Sequence, residues 1–154
     1  MAQLQNQFAQ TEIKGSMDLR FNPAVMSAQI DSSEVGTLVP GQAVTLVDSA
    51  GGVPKVIAAA ADTADVFGFI VYDIKSTGFV ALDKVEIATM RDNVQYMEAG
   101  AAVARGAKVM IVVTGSKVVL ATTGKTIVGR ALDKATASGD LIRVTIDLPG
   151  TVAP

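Results

Sequence analysis

The chain has 154 residues, a net charge of −2 and neither cysteine nor histidine, so disulfides, thiol chemistry, the usual zinc ligand sets and histidine acid/base catalysis are all excluded. Its mean hydropathy of +0.40 is high, yet no apolar run reaches the ~18 residues a membrane helix needs, and the excess comes from Ala and Val in many short runs. Scattered Lys and Arg with five Phe, two Tyr and no Trp provide neither a basic stripe nor stacking platforms, which argues against nucleic acid as a partner.

The N-terminus lacks the basic start and apolar run of a signal peptide. Residues 1–38 read as an extended arm, Gln-rich at first and broken by Gly15, Pro23 and Gly36. Its apolar residues are too sparse for a core but suit a ribbon laid on another surface, with Leu4, Phe8, Ile13, Leu19 and Phe21 as anchors. A short strand is expected around 27–33.

From residue 39 to 154, β-branched runs alternate with Gly, Asp, Ser and Thr turns, the pattern of an all-β barrel or sandwich. Strands are expected near 43–48, 54–59, 66–73, 84–90, 93–98, 108–113, 117–122, 126–132 and 141–148. Arg143 to Leu148 alternates, so one face should be wet. Val109 to Val113 is apolar throughout and should be buried on both faces. The stretches 58–65 and 131–138 fit either two turns of helix or loops.

The domain matches itself as a pseudo-repeat of 39–90 on 104–148. Pro40-Gly41 aligns with Arg105-Gly106, each followed by alternating apolar residues. Lys55-Val56 aligns with Lys117-Val118, Val66-Phe67-Gly68 with Ile127-Val128-Gly129, Gly78 with Gly139, and Val85-x-Ile87 with Val144-x-Ile146. Gly41, Gly68, Gly106, Gly129 and Gly139 are therefore expected as structural turns, bends or points of close backbone approach.

Chemistry finds little support. The close carboxylate pairs, Asp62 with Asp65 and Asp92 with Glu98, lack a furnished cleft and read as turn residues. Gly115-Ser116-Lys117 and Thr123-Gly124-Lys125-Thr126 lack the spacing of a phosphate loop. The chain is expected to be no enzyme, with no catalytic, metal or cofactor residues. A lipoyl or biotinyl carrier is weighed for the turn Val103 to Val109, but its lysines lack the flanking residues of that family.

The C-terminal half carries Ala99-Gly100-Ala101-Ala102-Val103-Ala104-Arg105-Gly106-Ala107-Lys108-Val109, then Thr126-Ile127-Val128-Gly129-Arg130-Ala131-Leu132, then Ser138-Gly139-Asp140-Leu141-Ile142-Arg143-Val144. In these stretches it resembles the capsid cement, or head decoration, proteins of tailed bacteriophages, over about two thirds of the chain. The resemblance implies a β-barrel or β-tulip-like body on the outer capsid surface, binding the major capsid protein, self-associating as a homotrimer and reaching over neighbours with its arm. The alternative is a cell-surface or tail-associated adhesin with a ligand loop around Phe79 or Tyr96.

Overall fold

A computed structural model describes residues 13–18, 25–47, 51–62, 64–73, 78–89, 91–112 and 116–154. The described chain is all-β. Five strands, β1 (Met26–Ile30), β2 (Ala43–Val47), β3 (Lys55–Ala58), β4 (Gly68–Ile70) and β5 (Lys84–Ala88), close into a barrel of order β1-β3-β2-β4-β5. Five more, β6 (Val94–Glu98), β7 (Lys108–Ile111), β8 (Val118–Leu120), β9 (Gly129–Ala131) and β10 (Leu141–Ile146), form a second sheet of order β6-β10-β9-β7-β8. All nine strands expected after residue 39 are present. The stretches 58–65 and 131–138 carry turns and bends and no helix among their described residues.

The two sheets have one wiring. β1 runs antiparallel to β5 and parallel to β3; β6 runs antiparallel to β10, and a parallel bridge from Ala99 to Val118 links it to β8. The turns repeat as well: the Gly41 N–H donates to the Ile70 carbonyl (2.7 Å) and the Gly106 N–H to the Ala131 carbonyl (2.8 Å), with φ of +79° and +82°, a conformation glycine adopts without steric cost.

This register corrects the last part of the sequence alignment. Gly68 lies against Ile87 and the Ala88 carbonyl, and Gly129 against Val144 and the Thr145 carbonyl, so Ile87 corresponds to Val144 and Val85 to Ile142. That is a two-residue slip from the expected pairing, and a slip of two keeps every side chain on its face. Gly139 likewise matches Leu82 rather than Gly78. The N–H groups of Leu82 and Gly139 donate to Ile30 and Ala99, and both residues sit at positive φ.

With that register, the barrel's interior residues Ala28, Ile30, Leu38, Val44, Val56, Ile70, Phe79, Val85 and Ile87 map one by one onto Met97, Ala99, Val103, Val109, Val118, Ala131, Ala135, Ile142 and Val144, which form the core of the second sheet. Bulk moves between positions: Phe79 and Ile70 correspond to Ala135 and Ala131, while Ala28 corresponds to Met97. Repacking of this kind keeps a core filled while its individual residues change.

The units are joined asymmetrically. On the barrel's outer wall Ala43 pairs with Phe69 and Phe69 with Ala88; all three are fully buried and belong to the core of the second sheet. The corresponding wall of that sheet is Lys108, Arg130 and Thr145, none of them buried. β7 also departs from expectation, because Val109 and Ile111 are buried while Met110 is only half-buried. Its outer face forms part of this wetter wall.

Candidate assembly surface

The described parts of segment 1–38 belong to the body. β1 is a barrel strand, and residues 13–18 form a strap along β6. Met17 bridges to Gln95, the Gly15 and Asp18 N–H groups donate to the Tyr96 and Val94 carbonyls (2.7 and 2.8 Å), and the Tyr96 N–H donates to Ser16 (2.8 Å). Among the expected anchors, Ile13 is half-buried at the start of this strap. Leu4, Phe8, Leu19 and Phe21 lie outside the described residues.

The strap is seated between both units. The Gly15 carbonyl accepts from the Tyr72 N–H (2.9 Å) and from Gln95 Nε2 (2.7 Å), which also donates to the Ile70 carbonyl (3.0 Å). Gly15 has φ +82° and packs so closely on Pro40 and Gly41 that a Cβ would overlap them. One buried side-chain amide thus ties strap, barrel and second sheet together. The sequence carried no local signal for this role, since Gln95 is one polar residue within a strand pattern.

Charges fasten the strap at both ends. Lys14 and Lys117 both reach Glu98 (3.2 and 2.6 Å), and the hydrogen bond from Lys117, followed by that from Lys14, holds the Glu98 carboxyl below its ordinary range. Asp18, fully buried, faces Arg143 Nη1 at 3.6 Å. Arg143 also grips Asp133 through Nε and Nη2 (2.8 and 2.7 Å). That fork lowers the Asp133 pKa and raises that of Arg143, because a bidentate pair favours both charged forms.

The weighed carboxylates have structural surroundings. Asp62 pairs with Lys125 (3.0 Å), Asp65 and Asp92 are exposed, and Glu98 serves the strap. No group of three metal-ligating side chains occurs among the described residues. Gly124-Lys125 is a turn whose N–H groups donate to Ala153 and Thr122. The ligand loop of the adhesin alternative is corrected: Phe79 and Tyr96 are 4% and 5% exposed, one inside the barrel and the other beneath the strap.

Exposed apolar side chains remain at one end of the barrel, where β1 begins and β2 ends: Val25, Met26, Leu46 and Val53 are 43–53% exposed. In the second sheet, the counterparts of Val25, Met26 and Leu46 are Val94, Gln95 and Ile111, all 2% exposed or less. A second group, Val35, Val80 and Leu82, lies in the loops flanking β1 and β5 at their other end.

No family model matches the chain, and a search of curated proteins returns no match. Among solved structures, the chain is similar to the N base of head fiber gp8.5 of bacteriophage phi29, with a TM-score of 0.54 and 15% identity, over 80% of this chain and 93% of that one. At this identity the likeness establishes a shared all-β fold that takes in both five-stranded units.

Proposed function

We propose that the chain is a non-enzymatic structural protein of a phage virion, carried on the outer surface of the head, where it binds the major capsid protein and stabilises the shell by bridging its subunits. The observation that carries this reading is the fold likeness to a phage head-fiber base over nearly the whole of that chain. The cement-protein resemblance of the C-terminal half agrees with it.

The physics of the body suits the task. Two five-stranded units, one closed and the other bridged between its end strands, leave little free strand edge, and the Asp62–Lys125 pair and a shared core join them. Many copies, each adding a modest interface at a capsomer seam, stiffen a shell by multivalency. Self-association, expected as a trimer, would multiply those contacts.

The test is cryo-electron microscopy of the particles that contain the protein. Density of a paired five-stranded body, in stoichiometric amount on the outer face of the shell and touching major capsid protein, is the expected result. Particles whose shells lack that density, with the protein recovered only from tail or soluble fractions, would remove the reading.

A further inference from the structure

The repeat shows what covers one strand edge, while its twin has no such cover among the described residues. In the second sheet, β6 is flanked by β10 on one side and by the strap 13–18 on the other. The strap's hydrogen bonds use the Val94 carbonyl and both backbone groups of Tyr96. It leaves Val94, Gln95 and Tyr96 buried.

By the register established above, these three residues correspond to Val25, Met26 and Ser27. β1 is flanked by β5 on one side, but on the other it meets β3 only from Gln29 onward. Alongside Val25, Met26 and Ser27 no strand follows among the described residues, and all three are exposed. The Glu86 carbonyl, opposite Ser27, accepts from the Val71 N–H (2.8 Å) on the β4 side. In an antiparallel pair this turns the Ser27 N–H and C=O the other way, toward the open edge.

We propose that this edge of β1 is a strand-acceptor slot, filled by the N-terminal segment 1–12 of a second copy of the chain. Three observations favour that occupant. The cover of the equivalent slot is itself N-terminal chain, an extended segment with one inward apolar side chain, Met17. Residues 1–12 offer the same chemistry: in an extended strand Leu4, Asn6 and Phe8 would share a face, so one of the two apolar side chains can take the place against Met26 that Met17 takes against Gln95. The only charged side chain among them is Glu12, which suits a slot whose neighbouring Lys55 is already within 3.9 Å of Asp31.

Reach permits a second copy. Twelve extended residues span up to about 40 Å, and the strap they precede begins at Ile13, at the end of β6 away from Asp18. Strand addition supplies main-chain hydrogen bonds, while the paired apolar side chains set the register. The proposal concerns self-association and stands whether or not the shell reading holds.

The experiment is a complementation between two full-length variants followed by sedimentation velocity. One carries Leu4→Asp with Phe8→Asp and loses the donor; the other carries Val25→Asp with Met26→Asp and loses the slot. The unaltered chain should self-associate, each variant alone should associate at least tenfold more weakly, and their mixture should recover a one-to-one pair. Should the slot variant misfold by circular dichroism, Val25→Ser with Met26→Ser replaces it. A monomeric parent, variants that associate as the parent does, or a mixture that fails to pair would each overturn the proposal. A monomeric parent that binds shells through Val25 and Met26 would assign the slot to capsid protein instead.

Discussion

Gly129 is where the backbone permits no side chain. A Cβ there would overlap the Thr145 carbonyl and come within 2.8 Å of Val144 Cγ1, and neither can yield without disturbing the β9–β10 ladder. Gly129→Ala should cost about 2–3 kcal/mol by overpacking, read as a lowered urea midpoint at unchanged slope. A neutral result would mean that the ladder relaxes freely. Asp133 allows a second test, with a sign that follows from its lowered pKa. A carboxylate with a depressed folded pKa contributes stability that is complete above its unfolded value of about 3.9 and is lost as pH falls through the folded value. Acid should therefore destabilise the protein below about pH 4, and Asp133→Asn should flatten that slope while lowering stability at neutral pH by about 1–2 kcal/mol. Denaturant titrations across pH 2.5–7 check both parts, and an unchanged slope in Asp133→Asn would assign the acid sensitivity to other carboxylates such as Glu98 and Asp140.

At the scale of elements, the strands were legible because period-two burial and turn residues are local signals. Arg143 to Leu148 alternates as read, with Val144, Ile146 and Leu148 buried. What the sequence left open was register: alternation repeats every two residues, so Val85-x-Ile87 fits Val144-x-Ile146 as well as its true partner Ile142-x-Val144. Only the close approaches at Gly68 and Gly129 decide between them. The strap was illegible for another reason, since its seat depends on Gln95, Asp18 and Arg143, which are distant in sequence and polar. Gln95→Ala removes one donor from each of the Gly15 and Ile70 carbonyls; each keeps its backbone donor, from Tyr72 and Gly41, so the loss is that of two net hydrogen bonds, about 1–3 kcal/mol. Amide hydrogen exchange should accelerate first at Gly15, Asp18 and Tyr96, whose N–H groups make the bonds between strap and β6. Uniform acceleration over the whole chain would mean that Gln95 supports the global core rather than the strap.

On the scale of the whole molecule, the two units agree in wiring and interior but differ in their walls, and that difference holds them together. The barrel wall presents Phe69 between Ala43 and Ala88 and is buried against the second sheet; the twin wall presents Arg130 between Lys108 and Thr145 and stays wet. Small residues around one aromatic let backbone and ring approach a neighbouring core closely, whereas a guanidinium there would keep its water. Stacking by this contact therefore stops after two units, because the second sheet has no apolar wall to offer a third. Phe69→Arg gives the barrel the residue its twin carries at that position. The barrel interior keeps all nine of its own residues, while the junction loses at least the ~3–5 kcal/mol typical of deleting a buried Phe. Calorimetry of the parent should show one transition with equal calorimetric and van't Hoff enthalpies, and the variant should split into two as the units lose their coupling. A single transition at lower temperature would place the coupling in the contacts the substitution leaves in place, namely the strap, the Asp62–Lys125 pair and the junction residues Ala43, Ala59, Val66 and Ala88.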